Sequence, residues 1–475
     1  MLFRQIFDDQ LAQNAYLVGC ERTRRAILVD PERDVDRYLD LAARAGLEIV
    51  AVTETHVHAD FLSGARELAA ADRGIAVHLS GTGEDEWRYE WPERDGREWT
   101  ALGDGDSIHV GDLELRAIAT PGHTPEHLAF EVFDRGAGSG EPVALLSGDF
   151  VFAGDLGRPD LLESAAGIAG ATEPSARLLF ASARRFLERP DWLQVWPGHG
   201  AGSACGKALG GMPATTVGFE RRTSPALAQV AAGESRFVSF ILDGQPEPPL
   251  YFARMKEQNR TGPPLLGGLP RPALLSPARL RELASAPEVV ALDTRRDRAG
   301  YFARHLRGSL FTPFNRSFPT VVGSYVEPAQ RVVLLIEERE LEAAVRSLVR
   351  VGIDRVEGWA PPEALDRTSA EALTATPRVE FGAELERALA APAAVVLDVR
   401  EGHEYEAAHL AGALRISHTR LAAEADRLPR NRPIYVHCET GSRAASAVSL
   451  LARRGFDARL VDGELASRRR SGRAT

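Results

Sequence analysis

Two histidines and an aspartate fall within five residues at His56, His58 and Asp60, in the stretch THVHADFLSG. Imidazole nitrogens and carboxylate oxygens together suit divalent first-row metals. Three further segments carry the same donor types: PGHT with His123, SGD with Asp149 and PGHG with His199. A lone histidine is usually a hydrogen-bonded core or surface residue, and His78, His109 and His127 are read that way. The joint pattern differs, because each donor segment follows an apolar run and contains a turn residue. It allows metal-assisted chemistry, either hydrolysis with two ions or other chemistry with one. Directly after Asp60 stands Phe61, whose hydrocarbon ring cannot ligate.

A second kind of chemistry is written in HCETGSR (437–443), a Cys-x-x-Gly-x-Arg loop holding Cys438 and Arg443. Between a strand and a helix, the amides of such a loop stabilise a thiolate and then a bound anion. Cys438 is thus a candidate nucleophile, and Arg443 adds positive charge for an anionic acceptor. GHGAGSACGKALG (198–210) holds Cys205, close in sequence to His199, with Lys207 placed to lower its pKa. Cys205 is read either as a thiol that handles sulfur or substrate beside the metal, or as a small buried loop residue. Cys20 sits in an apolar strand and is read as core.

The elements that must position these groups are legible as alternating patterns. EIVAVT (48–53), 113–124, 142–152 and 192–202 read as strands, each ending in one of the donor segments, and 63–72 reads as a helix. Sites on loops at the ends of a rigid sheet are a common solution in enzymes. PPLLGGLPRPALL (263–275) reads as a linker. Beyond it lies an internal repeat: 289–310 matches 395–414, and 331–354 matches 432–457. Strand and helix alternate in both copies, which predicts two α/β domains with parallel sheets. Where the second copy has Cys438, the first has Glu337, in a loop two residues shorter. A carboxylate cannot accept sulfur, so the first copy is expected to be inactive, with a packing or docking role.

The chain as a whole sets limits on function. It has 475 residues, 44% of them hydrophobic and 26% charged, with a net charge of −10. That composition is ordinary for a soluble globular protein. An acidic body without a basic stripe argues against nucleic acid as a partner. The basic run 466–475 is read as a frayed tail. No apolar run is long enough for a membrane span. Arg4, Asp8 and Asp9 interrupt the N-terminal apolar stretch, so no signal peptide and a cytoplasmic location are expected. Three scattered cysteines make a poor disulfide framework and fit a reducing compartment.

In their order along the chain, THVHAD, TPGHT, SGD and PGHG resemble the metallo-β-lactamase fold. The narrower resemblance is to persulfide dioxygenases, and HCETGSR, Asp398-Val-Arg400 and His409-Leu-Ala-Gly412 resemble rhodaneses, the single-cysteine sulfurtransferases. A dual-specificity or arsenate-reducing phosphatase shares the Cys-x-x-Gly-x-Arg pattern, but not the preceding segments. The resemblance implies an α/β and α+β multidomain chain: an αββα sandwich over 1–250, an inactive rhodanese-like domain over 270–370 and an active one over 378–475. It implies one Fe(II) per chain, held by His56, His123 and Asp149, with His58, Asp60 and His199 orienting ligands or substrate. Arg158, in FAGDLGRPDLLE (152–163), would bind the thiol carrier. The implied reaction oxidises a small thiol persulfide with O2 to sulfite, and Cys438 then passes sulfane sulfur to sulfite to give thiosulfate. Homo-oligomerisation is the default expectation. Two rivals stand beside this: a two-zinc thioester hydrolase of the glyoxalase II type fused to a sulfurtransferase, and a sulfur-carrier scaffold without catalysis.

Overall fold

The structure is a computed structural model that describes all residues except 84, 139, 165–169, 383–384, 388–393 and 466–475, so the basic tail lies outside the described residues. The chain divides into two compact units, Met1–Leu269 with Val349–Gly352, and Pro270–Leu348 with Ile353–Thr475.

The first unit is built on two six-stranded sheets, each with its strands in chain order. One runs Leu2–Asp8, Gln13–Cys20, Arg25–Val29, Glu48–Thr53, Ala76–Ser80 and Thr100–Leu102. The other runs Ser107–Val110, Leu113–Ala119, Leu128–Asp134, Ala144–Gly148, Gln194–Pro197 and Thr215–Thr216. Three apolar clusters explain why these strands stack in layers. Val18, Ile27 and Val29 of the first sheet meet Leu115, Phe130 and Leu146 of the second, forming the seam between sheets. Leu17, Leu28 and Val52 point to the opposite face of the first sheet, with Tyr38, Ala42 and Leu68 from its helices. Leu145 and Val195 point outward from the second sheet, against Ala176, Leu179 and Ala183 of helix Thr172–Leu187. Alternation with period two splits each strand between two interfaces, which is the αββα order the motifs imply. Each of the valine, leucine, isoleucine and phenylalanine side chains contributes about 1.5–3 kcal/mol when fully buried.

The first unit continues past residue 250, where the sequence reading ends it. Helix Tyr251–Thr261 buries Tyr251, Phe252, Met255 and Asn259. Asn259 donates to the carbonyls of His58 at 2.8 Å and Phe61 at 2.7 Å and accepts from the Ser63 amide at 2.9 Å. It therefore fixes the turn that carries the donor cluster.

The second unit repeats one topology. In the first copy, parallel strands run in the order Leu310–Phe311, Val289–Asp293, Arg331–Leu335, Val356–Ala360. In the second the order is Leu414–Arg415, Val395–Asp398, Ile434–His437, Ala458–Asp462, with Arg378–Glu380 added at the edge. The first copy has only an isolated parallel bridge, Leu274 to Trp359, at the equivalent edge. Residues 336–337 connect strand and helix in the first copy, against 438–441 in the second. No helix among the described residues is long and apolar enough to cross a membrane.

Candidate metal centre and cysteine loop

Each donor lies just beyond the C-terminal end of a strand. His56 follows Glu48–Thr53, His123 follows Leu113–Ala119, Asp149 follows Ala144–Gly148 and His199 follows Gln194–Pro197. His56, His123 and Asp149 are buried, and one donor atom from each lies within 4.8 Å of the others. Glycine is required here by close approach, since a Cβ on Gly157 would sit 1.7 Å from the Asp149 carbonyl oxygen.

The hydrogen bonds set the tautomers. Asp30 accepts from the Thr55 amide at 2.7 Å and from its hydroxyl at 2.9 Å. With its proton committed to Asp30, Thr55 Oγ1 is left to accept from His56 Nδ1 at 3.0 Å. His123 Nδ1 donates to the Arg158 carbonyl at 3.0 Å. Both rings therefore keep a bare Nε2 for the cluster. Burial, reinforced for His56 by neighbouring imidazoles, lowers the pKa of both and keeps them neutral. Neither Asp149 carboxylate oxygen has a hydrogen-bond partner, although both are buried. An unpartnered buried carboxylate is costly, and a cation beside it removes that cost. Two neutral imidazoles and one carboxylate fit the facial donor set of non-heme ferrous sites.

His58 behaves differently. Burial disfavours its charge, but the Asp30 carboxylate 3.0 Å from Nε2 outweighs this and pushes its pKa up to about 9. An imidazolium has no lone pair to give. Its ring lies 4.2 Å from that of His56 and 4.4 Å from that of Phe61, centroid to centroid.

Asp60 and His199 meet, as His199 Nε2 to Asp60 Oδ2 at 3.3 Å, and the same nitrogen lies 3.4 Å from Asp149 Oδ1. Cys205 joins Asp60 and His199 in a second group of three buried donors. Phe61 supplies no donor beside Asp60 and His199, and the Cys205 thiol stands with them instead. Burial, with Asp149 and Asp60 adding to it, raises the Cys205 pKa well above the usual thiol range. Lys207 does not lower it, because its ammonium donates to the carbonyls of Phe240 at 2.6 Å and Asp243 at 2.7 Å.

Arg158 is not free to meet a substrate carboxylate as expected. Its side chain is 1% exposed, pairs in bidentate fashion with Asp160 and donates to the carbonyls of Ala204 and Pro246. It ties the loop after Asp149 to the residue preceding Cys205.

Some participants carry no recognisable motif. Asp30 is one; it adopts φ +52°, a left-handed conformation that aspartate tolerates better than most residues. Ala12, at φ +53°, accepts from His199 Nδ1 at 3.2 Å. His127, read as an ordinary core histidine, is indeed buried and hydrogen-bonded. Its Nε2 receives the Asp149 amide at 3.0 Å, and burial lowers its pKa to about 3.

In the second unit, Cys438 is 1% exposed. It heads the turn that leads into helix Ser442–Arg453, whose N-cap Gly441 has φ +85°. Arg443 makes a bidentate pair with Glu404 at 2.5 and 2.7 Å. Burial opposes its charge, but Glu404 and Cys438 hold its pKa above the usual range. Asp398 and Arg400 pair beneath the loop, and Arg400 Nη1 reaches Glu439 at 3.3 Å.

Comparison with known proteins agrees with both halves. Residues 8–199 match the metallo-beta-lactamase superfamily and residues 382–467 match the rhodanese-like domain. A solved metallo-beta-lactamase from Staphylococcus aureus subsp. aureus COL is 33% identical, with TM-score 0.67, and the match covers 76% of this chain and 99% of that one. Hydroxyacylglutathione hydrolase of Gloeobacter violaceus is 35% identical over 39% of this chain, which spans 62% of that protein's length. Persulfide dioxygenase ETHE1 of Bos taurus is 27% identical over 48% of this chain and 76% of its own. The chain belongs to the metallo-beta-lactamase superfamily and joins that domain to a C-terminal rhodanese-like domain.

Proposed function

We propose that the first unit oxidises a low-molecular-weight thiol persulfide with O2 and that Cys438 in the second unit transfers sulfane sulfur. The observation that carries this reading is the meeting of His56, His123 and Asp149, two neutral imidazoles and one unpartnered carboxylate, on a chain that also holds the Cys438 loop. A single ferrous ion on these three ligands would supply redox chemistry toward O2 that zinc lacks. Thr55 and Asp30 hold the His56 ring, Arg158 anchors the loop after Asp149, and the neutral Cys205 thiol stands with Asp60 and His199. His58, Asp60 and His199 orient these groups. The reaction balances as RSSH + O2 + H2O to RSH + H2SO3, in which the outer sulfur gives four electrons to O2. At the second site the Cys438 thiolate attacks the outer sulfur of a persulfide and RS− leaves. Sulfite then attacks the sulfur held on Cys438, releasing thiosulfate and the thiolate. Joining both sites in one chain raises the effective concentration of sulfite at the second.

The test is oxygen uptake by the iron-loaded chain with glutathione persulfide and, separately, coenzyme A persulfide. One O2 consumed per sulfite plus thiosulfate formed is expected, and no uptake with either sinks the reading. One observation favours a two-metal hydrolase instead: Asp60, His199 and Cys205 form a second donor group next to Asp149. Two zinc ions per chain, with thioester cleavage and no oxygen uptake, would establish that alternative.

A further inference from the structure

The thiol-free copy of the second unit reaches into the cysteine loop of its sibling. Arg298 opens helix Arg298–Ala303 of the first copy. Its Nη1 donates to the Thr440 carbonyl at 3.2 Å, and its Nη2 pairs with Asp462 at 2.6 Å. A Cβ on Gly441 would lie 3.1 Å from the guanidinium carbon. Thr440 and Gly441 are the last two residues of the turn between Cys438 and its helix.

The peptide plane gives this contact a consequence. In a trans peptide the carbonyl and the following N–H point in opposite directions. Holding the Thr440 carbonyl toward Arg298 fixes that peptide plane and turns the Gly441 N–H away from Arg298. A cation against the carbonyl also polarises that amide. Asp462 neutralises the guanidinium, so Arg298 acts on the loop and not as a free collector of anions. Asp462 is itself steadied by Arg378 at 3.3 Å on its other oxygen.

A separate set of contacts fixes the rest of the helix. The Phe311 amide of the first copy donates to Ser449 Oγ at 2.9 Å. Arg453 donates to the carbonyls of Gly308 at 2.7 Å and Val289 at 2.9 Å. The helix that follows Cys438 is therefore tied to the first copy near its start, in its middle and at its end.

We propose that Arg298 is a positioning residue for sulfur transfer at Cys438, and that the thiol-free copy serves as the outer wall of that site. This rests on Cys438 being the sulfur carrier. The test measures thiosulfate-to-cyanide sulfur transfer and oxygen uptake on the full, iron-loaded chain. Arg298→Ala should lower kcat about tenfold, less than the loss of an oxyanion donor outright, and leave KM for thiosulfate and oxygen uptake unchanged. Iodoacetamide labelling of Cys438, followed by peptide mass, should slow in parallel, and Arg298→Lys should recover part of both. If Arg298→Ala does not fold, Arg298→Met keeps the apolar stem, removes the donor to the Thr440 carbonyl and should give the same split between kcat and KM. An unchanged kcat in the folded variant overturns the proposal. Equal losses in the Ala and Lys variants together with a lower urea midpoint overturn it too, since they mark a merely structural contact. A native chain without transfer, or with transfer that survives Cys438→Ser, overturns the sulfur-carrier reading itself.

Discussion

Asp30 organises the candidate metal centre from outside its group of donors. One carboxylate holds the Thr55 amide, the Thr55 hydroxyl and the His58 ring, and through Thr55 it sets the His56 tautomer. Asp30→Asn should leave the fold intact and weaken metal retention roughly tenfold to a hundredfold, read as iron per chain after dialysis against a graded chelator. An unchanged retention curve would show that Thr55 holds the ring alone. Phe61 is fully buried against the His58 ring. Phe61→Ala should cost about 3–5 kcal/mol, visible as a lower urea midpoint with unchanged slope. His56, His123 and Asp149 were legible in sequence because imidazole and carboxylate are rare donor types recurring after apolar runs. Asp30 and Ala12 were not, because their contribution is a backbone conformation and a hydrogen bond, neither of which leaves a spacing pattern. Cys205 was legible as a residue, but its meeting with Asp60 and His199 depends on how three loops converge.

Strands and helices were read with fair accuracy where their patterns are strong. Glu48–Thr53 has the predicted limits, and 113–124 shortens to Leu113–Ala119 because the PGHT turn ends the ladder. The two-residue difference between the repeat loops is present in the backbone. Removing those residues leaves the first copy no turn in which a thiol could be wrapped by amides. His418, on the turn after strand Leu414–Arg415, gives the cysteine domain a pH signature. Burial, helped by the Arg443 charge, lowers its pKa to about 4. Between that value and the ordinary 6.5 the unfolded chain binds more protons than the folded one, so stability rises with pH across this window. Acidification from pH 6.5 toward 4 should therefore cost up to about 3 kcal/mol from this one group. His418→Asn should flatten that part of the urea-midpoint profile of the second unit. A profile identical to that of the parent would place its origin elsewhere.

At the scale of the molecule, the candidate metal centre and the Cys438 loop stand on separate compact units. Changes at distant sites without shared partners are additive to a first approximation. Cys438→Ser should abolish sulfur transfer and leave iron content and oxygen uptake untouched. His123→Ala should do the reverse, removing iron and oxygen uptake while thiosulfate-to-cyanide transfer persists. Loss of both activities in either variant would show the units to be energetically coupled. The linker 263–275 spans the boundary between the units, whereas the two repeat copies, expected as separate domains, fall within one of them. The true extent of the first unit did not show itself, because helix Tyr251–Thr261 earns its place through Asn259, a single polar residue whose partners lie about 200 positions earlier.

The hydrogen bond from His199 to the Ala12 carbonyl spans 187 positions of chain. During synthesis at about 5–20 residues per second, roughly ten to forty seconds separate the appearance of these two residues. The strand Gln13–Cys20 is made long before the segment that completes the pocket beside it. Long-range closure of this kind is slow to nucleate. The nascent polypeptide thus has no finished metal pocket until the PGHG turn has emerged. Loading a metal into this pocket then falls after synthesis of the domain, and chain made under metal starvation should still accumulate folded and take up metal afterwards.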